Sequence, residues 1–168
     1  MNRQTRIVLF PDPVLRGACS DILHFDQHLI DLVNRLDSVM RRQKHGIGIA
    51  APQIGIAKRL ALVDVSARVQ GAVRLVLVNP EIQDQGGTKV SREGCMSLPE
   101  YTADLKRSEW VALKWQDEFG KIHRDRFEGI EAVCIQHELD HLNGVLFLDR
   151  VVCLKTDMYP RVQRSKKV

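Results

Sequence analysis

The chain has 168 residues, 44% of them hydrophobic, and a formal net charge of +4. This length fits one domain with a sizeable core. No apolar run approaches the ~20 residues of a transmembrane helix, and residues 1–10 lack the apolar stretch of a secretory signal. We therefore expect a cytoplasmic protein with no membrane partner. The four cysteines are widely spaced, with no CxxC pair, so in a reducing cytosol they are predicted to be thiols.

The first predicted element is a long N-terminal helix. Asp26 is a candidate N-cap, and apolar residues recur at helical spacing from Leu29 to Met40, which predicts an amphipathic helix to about Lys44. The strands predicted from their β-branched residues follow at 59–65, 74–78, 110–115 and 122–127.

The remaining segments complete an α+β prediction. Asn79-Pro80 is expected to end the second strand, and residues 83–88 to form a turn. A second helix is predicted near the C-terminal end, with Gly144 as its stop. Because the strands follow one another without intervening helices, we predict antiparallel β-sheets packed around that second helix.

The glycine-rich stretch between the first helix and the first strand needs an interpretation. Residues 46–51, GIGIAA, match the dinucleotide pattern G-x-G-x-x-A, and Asp64 lies near the distance of a ribose-binding acid. That pattern must follow a strand and open a helix, whereas here a helix precedes it and Pro52 follows. We reject a dinucleotide site. The stretch instead offers backbone that a ligand can approach closely, or simply a tight helix-to-strand connection.

The pentapeptide at residues 137–141, HELDH, is an H-E-x-x-H motif. On a helix, His137 and His141 lie one turn apart on the same face and can bind one metal ion. Glu138 lies beside them, placed to transfer a proton. Upstream apolar residues at helical spacing support a helix here. The motif predicts a metal-dependent hydrolase.

A catalytic site of this type needs a third protein ligand and one open position. Cys134 precedes His137 by one turn, but Cys134 and His141 would lie ~10 Å apart along the helix axis and cannot converge on one ion. We predict Cys134 to be a small buried hydrophobe. Spacing alone leaves the third ligand open among Cys19, Cys95, Cys153, His45, His123 and several carboxylates.

Three blocks resemble, in order and interval, the three signature motifs of the peptide deformylases. They are GIGIAAPQ at 46–53, EGCMS at 93–97 and QHELDHLNG at 136–144, and the resemblance extends from PDP at 11–13 to FLD at 147–149. It implies an enzyme that removes the formyl group from the N-terminal formylmethionine of new polypeptides and releases formate. The expected partners are N-formylmethionyl nascent peptides.

The resemblance also implies a role for each matching residue. Cys95, His137 and His141 would be the metal ligands, and Glu138 the general acid/base. The residues implied to meet the substrate are Gln53 and the backbone N–H of Met96 as oxyanion hole, Ile47 and Gly48 along the peptide backbone, and Ile130, Val133, Cys134 and His137 around the methionine side chain. The family commonly has leucine where Met96 stands, a change that matters little if the backbone amide does the work.

The implied cofactor is one divalent metal ion. The family resemblance implies Fe(2+) natively, with Zn(2+) a common, less active occupant, and a Cys–His–His set also suits Ni(2+) or Co(2+) because thiolate is a soft ligand. A bound metal lowers the pKa of its water to as little as about 7. Glu138 could then take up the second proton, and the oxyanion hole would stabilise the developing charge.

We expect a single catalytic deformylase-like domain over residues 1–168, with a basic C-terminal tail from about residue 155. A solvated tail is the simplest interpretation, and contact with the phosphates of ribosomal RNA is the alternative. The basic residues concerned are Arg161, Arg164, Lys166 and Lys167.

Three rival functions compete with the main hypothesis. An H-E-x-x-H metalloprotease would leave the EGCMS block unexplained. A degenerate deformylase-like protein that binds nascent chains or ribosomes would be expected to lack ligands or the base, and none is missing here. A structural metal site would usually be closed by four protein ligands and gives Glu138 no purpose. For Arg107 two uses stay open, contact with the peptide or an exposed salt bridge, and we favour the salt bridge.

Overall fold

The computed structural model describes residues 5–43 and 46–161. These residues form two antiparallel sheets, one of five strands and one of three, together with three α-helices, so the predicted α+β class is confirmed. The elements in chain order are α1 (Gln27–Arg41), β1 (Gly48–Ala50), β2 (Leu60–Val63), β3 (Leu75–Gly86), β4 (Lys89–Cys95), β5 (Leu98–Arg107), β6 (Trp110–Gln116), β7 (Ile122–Glu128), α2 (Gly129–Leu142), α3 (Leu154–Asp157) and β8 (Met158–Pro160).

The five-stranded sheet, in the order β1-β2-β3-β6-β7, lies between helices α1 and α2. Strand β2 shows how, because successive side chains of a strand point to opposite faces. Leu60 and Leu62 pack with the buried residues of α1, whereas Ala61 and Val63 pack with those of α2. Both faces are therefore buried, which explains why this strand is a continuous apolar run.

Helix α1 begins where the sequence predicts. The Asp26 carboxylate accepts hydrogen bonds from the backbone N–H groups of His28 and Leu29, which satisfies donors that a helix start leaves free. The helix ends at Arg41, and Lys44, its predicted end, lies outside the described residues. None of the helices in the described part of the chain is long and apolar enough to cross a membrane.

Helix α2 is buried on nearly every side. Ten of its 14 residues are buried, which is typical of a helix in the middle of a fold rather than on its surface. It includes the HELDH residues and contacts β1 and β2. After its C-cap residue, Gly144 takes a left-handed φ of 71°, and a Cβ there would overlap the backbone oxygen of Arg16. The left-handed backbone at Gly144 ends the helix, and the contact with Arg16 leaves no room for a side chain there.

The extent predicted for the second strand is wrong. Strand β3 does not end at Asn79-Pro80 but continues to Gly86, so the turn predicted at 83–88 is confined to its last two residues. Asn79 takes a positive φ of 48° and the β3–β6 register shifts nearby, which lets the strand pass the proline as a bulge. Strands β6 and β7 agree with the predicted 110–115 and 122–127.

The three-stranded sheet, in the order β4-β5-β8, was not predicted. Strand β4 has one strongly apolar residue, Val90, and that side chain is exposed. The sheet packs on a small cluster of Cys95, Ala103, Leu105 and Phe147. A strand that buries so little apolar surface lacks the alternation from which strands are predicted.

The predicted start of the C-terminal tail, at about residue 155, is too early. Residues 154–157 form the short helix α3, and β8 pairs with β5 through Thr102 and Tyr159. The strand is held further by the Arg92 guanidinium, which stacks on the Tyr159 ring at 3.6 Å. Arg164, Lys166 and Lys167 lie outside the described residues.

Arg107 is buried, not exposed as predicted. Its side chain is 2% exposed and forms ion pairs with Glu93 of β4, at 2.7 Å, and with Asp140 of α2, at 2.6 Å. Asp140 is also bonded to Arg150, which follows the helix. A buried guanidinium needs such partners because an unpaired charge is costly away from water. These contacts join the β4–β5 hairpin to helix α2.

Replacing Arg107 with alanine should destabilise the fold by about 3–5 kcal/mol, because the buried Glu93 loses its arginine partner and Asp140 keeps only Arg150. Urea unfolding of the metal-free protein measures this. Arg41→Ala is the matched control, since its side chain is 60% exposed in its ion pairs with Asp37 and Asp64 and its loss should leave the unfolding midpoint nearly unchanged. Equal effects of the two substitutions would contradict the importance given to the buried pair.

Candidate active site

Three side chains with metal-binding atoms converge beside helix α2. Cys95 comes from the end of β4, and His137 and His141 come from consecutive turns of the helix. Their ligand atoms all lie within 4.8 Å of one another, and Cys95 Sγ is 3.2 Å from His141 Nε2. In the part of the chain that the structure describes, no other group of histidines, cysteines and carboxylates converges in this way.

The other candidates for the third ligand lie elsewhere. Cys19 packs against the main core cluster, Cys153 is exposed at the start of α3, and His123 bonds to Asp117 at 2.8 Å. His45 lies outside the described residues. Cys134 is buried on α2 and its thiol donates to the backbone oxygen of Ile47 at 3.4 Å, so it serves as part of the cavity wall.

The chemistry of this cluster fits a divalent transition metal. Burial alone would raise the pKa of the Cys95 thiol, but the charge of His141 and hydrogen bonds to both histidines outweigh burial and hold it well below its ordinary value. The cysteine is thus favoured as a thiolate, the form that binds metal. Together with two imidazoles it makes a soft donor set, which suits iron, zinc, nickel or cobalt rather than magnesium or calcium.

Glu93 orients one of the histidines. Its Oε2 bonds to His137 Nδ1 at 2.8 Å, which leaves Nε2 as the ring nitrogen available to the cluster. Burial would raise the pKa of Glu93, but its hydrogen bonds to Arg107 and His137 dominate and lower it to about 2. Glu93 is therefore an anion at neutral pH.

Glu138 lies in the cavity beside these three side chains and is buried there without a full set of hydrogen bonds. It is 3% exposed, its Oε2 has no hydrogen-bond partner among the described residues, and burial raises its pKa to about 7. A carboxylate with a pKa near the working pH can both accept and release a proton. Gly48 makes room for it, since a Cβ at Gly48 would overlap Oε1 of this glutamate.

Gln53 is locked in one orientation. It lies in a 3₁₀ turn over Ala51–Ile54 and is 1% exposed. Its Oε1 accepts from the backbone N–H of Ala50 at 2.9 Å, and its Nε2 lies 3.4 Å from Cys95 Sγ and 3.2 Å from Ser97 Oγ. The amide N–H₂ group therefore faces the cysteine. Met96, in the turn between β4 and β5, lines the same cavity.

The cavity has a volume of about 300 Å³. It is lined by all the predicted site residues except His141, which lies behind the others at 1% exposure and contacts Cys95. The predicted residues on the lining are Ile47, Gly48, Gln53, Cys95, Met96, Ile130, Val133, Cys134, His137 and Glu138.

Comparison with known proteins agrees with this geometry. The sequence model of the family described as polypeptide deformylase matches residues 4–157. A peptide deformylase of Thermodesulfovibrio yellowstonii is 40% identical over 158 residues, covering 94% of this chain and 95% of the relative. One of Prochlorococcus marinus strain MIT 9312 is 44% identical over 141 residues, covering 83% and 70%. The chain belongs to the peptide deformylase family.

Solved structures of the family have the same fold. Peptide deformylase from Thermotoga maritima superposes with a TM-score of 0.83 at 38% identity, covering 89% of this chain and 99% of that one. The enzyme from Synechococcus elongatus, solved in complex with actinonin, has a TM-score of 0.83 at 37% identity, covering 91% and 82%. The chain is accordingly a metal-dependent deformylase, whose family removes the formyl group from N-terminal formylmethionine.

Two residues that support this candidate site have contacts that the sequence analysis does not predict. Glu93 stands in a recognised block but received no role, and Arg107 was placed on the surface. The partners of both lie 14 to 44 residues away in the chain, so no local spacing reveals them. The one available signal is the conjunction of Glu93 with the neighbouring cysteine in the EGCMS block.

Gly48→Ala should disrupt the deformylase site, because the added Cβ would overlap Glu138 Oε1 and lie 2.7 Å from Cys134 Sγ. Overpacking of this kind costs about 1–3 kcal/mol, and we expect formate release to fall at least about tenfold. Gly17→Ala is the control, since a Cβ there meets only Val14 O at 3.9 Å. Wild-type activity in Gly48→Ala would show that the glutamate has more room than the structure gives it.

The pKa of Glu138 predicts how the stability of the metal-free protein depends on pH. That pKa rises from 4.5 to about 7 on folding, so the folded state binds the proton more tightly and stability falls as the pH rises between these values. Glu138→Gln removes this effect. Thermal unfolding should show the variant more stable than the parent at pH 8, with little difference at pH 5. A difference independent of pH, or one matched by the control Glu118→Gln in the turn between β6 and β7, would disprove the assignment.

Proposed function

We propose that Cys95, His137 and His141 hold one divalent metal ion and that Glu138 is the general acid and base of deformylation. The observation that carries this proposal is the convergence of three metal-binding atoms beside a buried carboxylate in one cavity. When bound, the metal supplies the Lewis acidity that makes water nucleophilic at neutral pH and polarises the formyl carbonyl. Helix α2 then acts as the central metal-binding helix of a single catalytic domain.

Glu138 moves the protons. With a pKa raised to about 7 by burial, its carboxylate can take a proton from the attacking water and deliver it to the nitrogen of the leaving methionine amine. The amine must be protonated to leave, so both transfers are needed to balance the reaction, which yields formate and a free N-terminus. The buried position of Glu138 keeps bulk water from bypassing it.

Gln53 and the backbone N–H of Met96 form the oxyanion hole in this proposal. As water adds to the formyl carbon, its oxygen gains negative charge and needs donors aimed at it. Gln53 Nε2 is already oriented, because Oε1 of the same amide is held by the N–H of Ala50. Such pre-orientation avoids rearrangement during the reaction, and loss of one donor typically costs ~10²–10³ in rate.

Methionine is recognised by the apolar wall of the cavity. A pocket of this kind distinguishes one methylene by only ~1–3 kcal/mol, so selectivity against similar side chains should be modest. The wall is formed by Ile130, Val133, Cys134 and His137. The peptide backbone runs along Ile47 and Gly48, where β1 is an edge strand paired only with β2 in its sheet. The main-chain hydrogen bonds of an added strand there do not depend on the side chains of the peptide.

Three further points belong to the proposal. Membership of the family favours Fe(2+) as the native metal, and the thiolate in the donor set also suits Zn(2+), Ni(2+) or Co(2+) as substitutes. The protein works in the cytoplasm, where nascent chains are made. Contact with the ribosome would use the basic C-terminal residues, of which Arg161 alone is described.

Formate release from a formyl-methionyl peptide tests the proposed function. Protein prepared without oxygen and loaded with Fe(2+) or Co(2+) should turn the peptide over, and Glu138→Gln should be nearly inactive while still binding metal, since only the proton carrier is lost. Metal content measured on both proteins is the control. Cleavage of internal peptide bonds without formate release would favour the metalloprotease alternative, and silence from a folded, loaded parent would refute deformylation.

The iron assignment has its own test. A thiolate beside iron is exposed to oxidation of its sulfur, so the Fe(2+) protein should lose activity in air, whereas the Ni(2+) and Co(2+) proteins should lose it more slowly. Activity is followed over time in air and under argon, with mass spectrometry of Cys95. Equal lifetimes for the iron and nickel forms in air would contradict this prediction.

A further inference from the structure

The mouth of the cavity is unusually basic. Three exposed arginines line it, Arg68, Arg92 and Arg161, whereas its two carboxylates, Glu93 and Glu138, are both buried. The positions outside the described residues contain no aspartate or glutamate, so no acidic side chain from those segments neutralises the mouth. A cleft lined by one sign of charge attracts ligands of the other.

Two of the three arginines have no carboxylate partner among the residues that the structure describes. Arg92 pairs with Asp104 at 2.5 Å and stacks on Tyr159, so its charge is already used to hold β8. Neither Arg68 nor Arg161 forms an ion pair with any residue in the ranges 5–43 and 46–161. Their charges are therefore available to a ligand.

Arg161 is held close to Cys95, one of the proposed metal ligands. Its backbone N–H donates to the oxygen of Glu100 at 2.7 Å, which extends the β5–β8 pairing by one residue. Its guanidinium lies against Gly94, where a Cβ would overlap Nη2. Gly94 directly precedes Cys95, so the cation stands beside the strand that supplies the proposed thiolate ligand. The family match ends at residue 157, and Arg161 lies beyond it.

Arg68 reaches the cavity from the other sheet. It follows β2 of the five-stranded sheet, whereas Arg161 follows β8 of the three-stranded sheet, and both line one cavity. A peptide whose formylmethionine occupies the cavity must leave through this mouth. In an extended chain the next two residues lie within ~7 Å of the methionine, which is within the ~8–10 Å over which exposed charges interact at moderate salt.

We propose that Arg68 and Arg161 form a subsite for acidic side chains at the two positions that follow formylmethionine. It makes the protein selective for nascent chains with aspartate or glutamate there. The inference rests on the proposed function, because the peptide must enter the cavity that contains Glu138. The interaction is between exposed charges, so the preference is a matter of KM and weakens with salt.

The test compares peptides formyl-Met-Xaa-Xaa-Ser-amide in which both Xaa residues are Glu, Gln or Lys. The terminal amide removes the carboxylate that would otherwise compete. We expect kcat/KM to follow Glu > Gln > Lys, with about three- to tenfold between Glu and Lys, mostly in KM, and less at 0.5 M salt. Arg161→Gln and Arg68→Gln should each reduce this ratio. Arg124→Gln, the same change of charge on the exposed face of β7, should leave it unchanged.

A second readout does not require turnover. Dissociation constants of the same peptides, labelled and measured by fluorescence anisotropy with metal-loaded Glu138→Gln protein, should show the same order. Release of formate with no Glu–Lys difference, or a difference that survives both arginine substitutions, would overturn the subsite and leave the proposed function standing. Preferential binding of the Glu peptide without formate release would support the subsite and refute the function. A ribosomal RNA hairpin that loses affinity in both variants, with no peptide preference, would overturn the subsite in favour of RNA.

Discussion

Burial of the Arg107 guanidinium is the interaction on which the site's geometry depends. A cation away from water must be paired, and its two partners belong to different elements, Glu93 on β4 and Asp140 on α2. Glu93 in turn holds His137 through the second of its oxygens. The hairpin that carries the thiol and the helix that carries the imidazoles are thus joined by buried ion pairs.

The features that could be predicted from the sequence are those whose signal lies within a short stretch of the chain. The histidines and glutamate of α2 are found from spacing, because a helix places residues four apart on one face. Cys95 was one of several open candidates from spacing, and only the family resemblance selected it. Strands with an apolar face were found, whereas β4, whose strongly apolar Val90 is exposed, was not. Arg107 was misplaced because its burial depends on partners 14 and 33 residues away.

The glycine stretch has neighbours inside the protein that the sequence does not reveal. Its bare backbone was expected to allow a ligand to approach. In the structure the nearest neighbours of Gly48 on its side-chain side are Glu138 and Cys134, which belong to the protein itself. The missing side chain first makes room for the buried carboxylate, whose raised pKa follows from that enclosure. The proposed contact with the peptide backbone would use the same opening.

Strands β3 and β6 pair up to Gly86 and Trp110, so the whole β4–β5 hairpin leaves and re-enters the larger sheet at one point. Because β3 and β6 pair directly, the five-stranded sheet is continuous without this hairpin. The hairpin carries the Cys95 thiol and also Glu93, which holds His137 of the helix, so the proposed sulfur ligand and the support of one imidazole belong to the same insert. Exchange of this insert would replace the sulfur donor and the carboxylate that orients His137, while β3 and β6 of the larger sheet stayed paired. A single insertion point thus gives evolution access to the sulfur donor and to the orientation of one imidazole together.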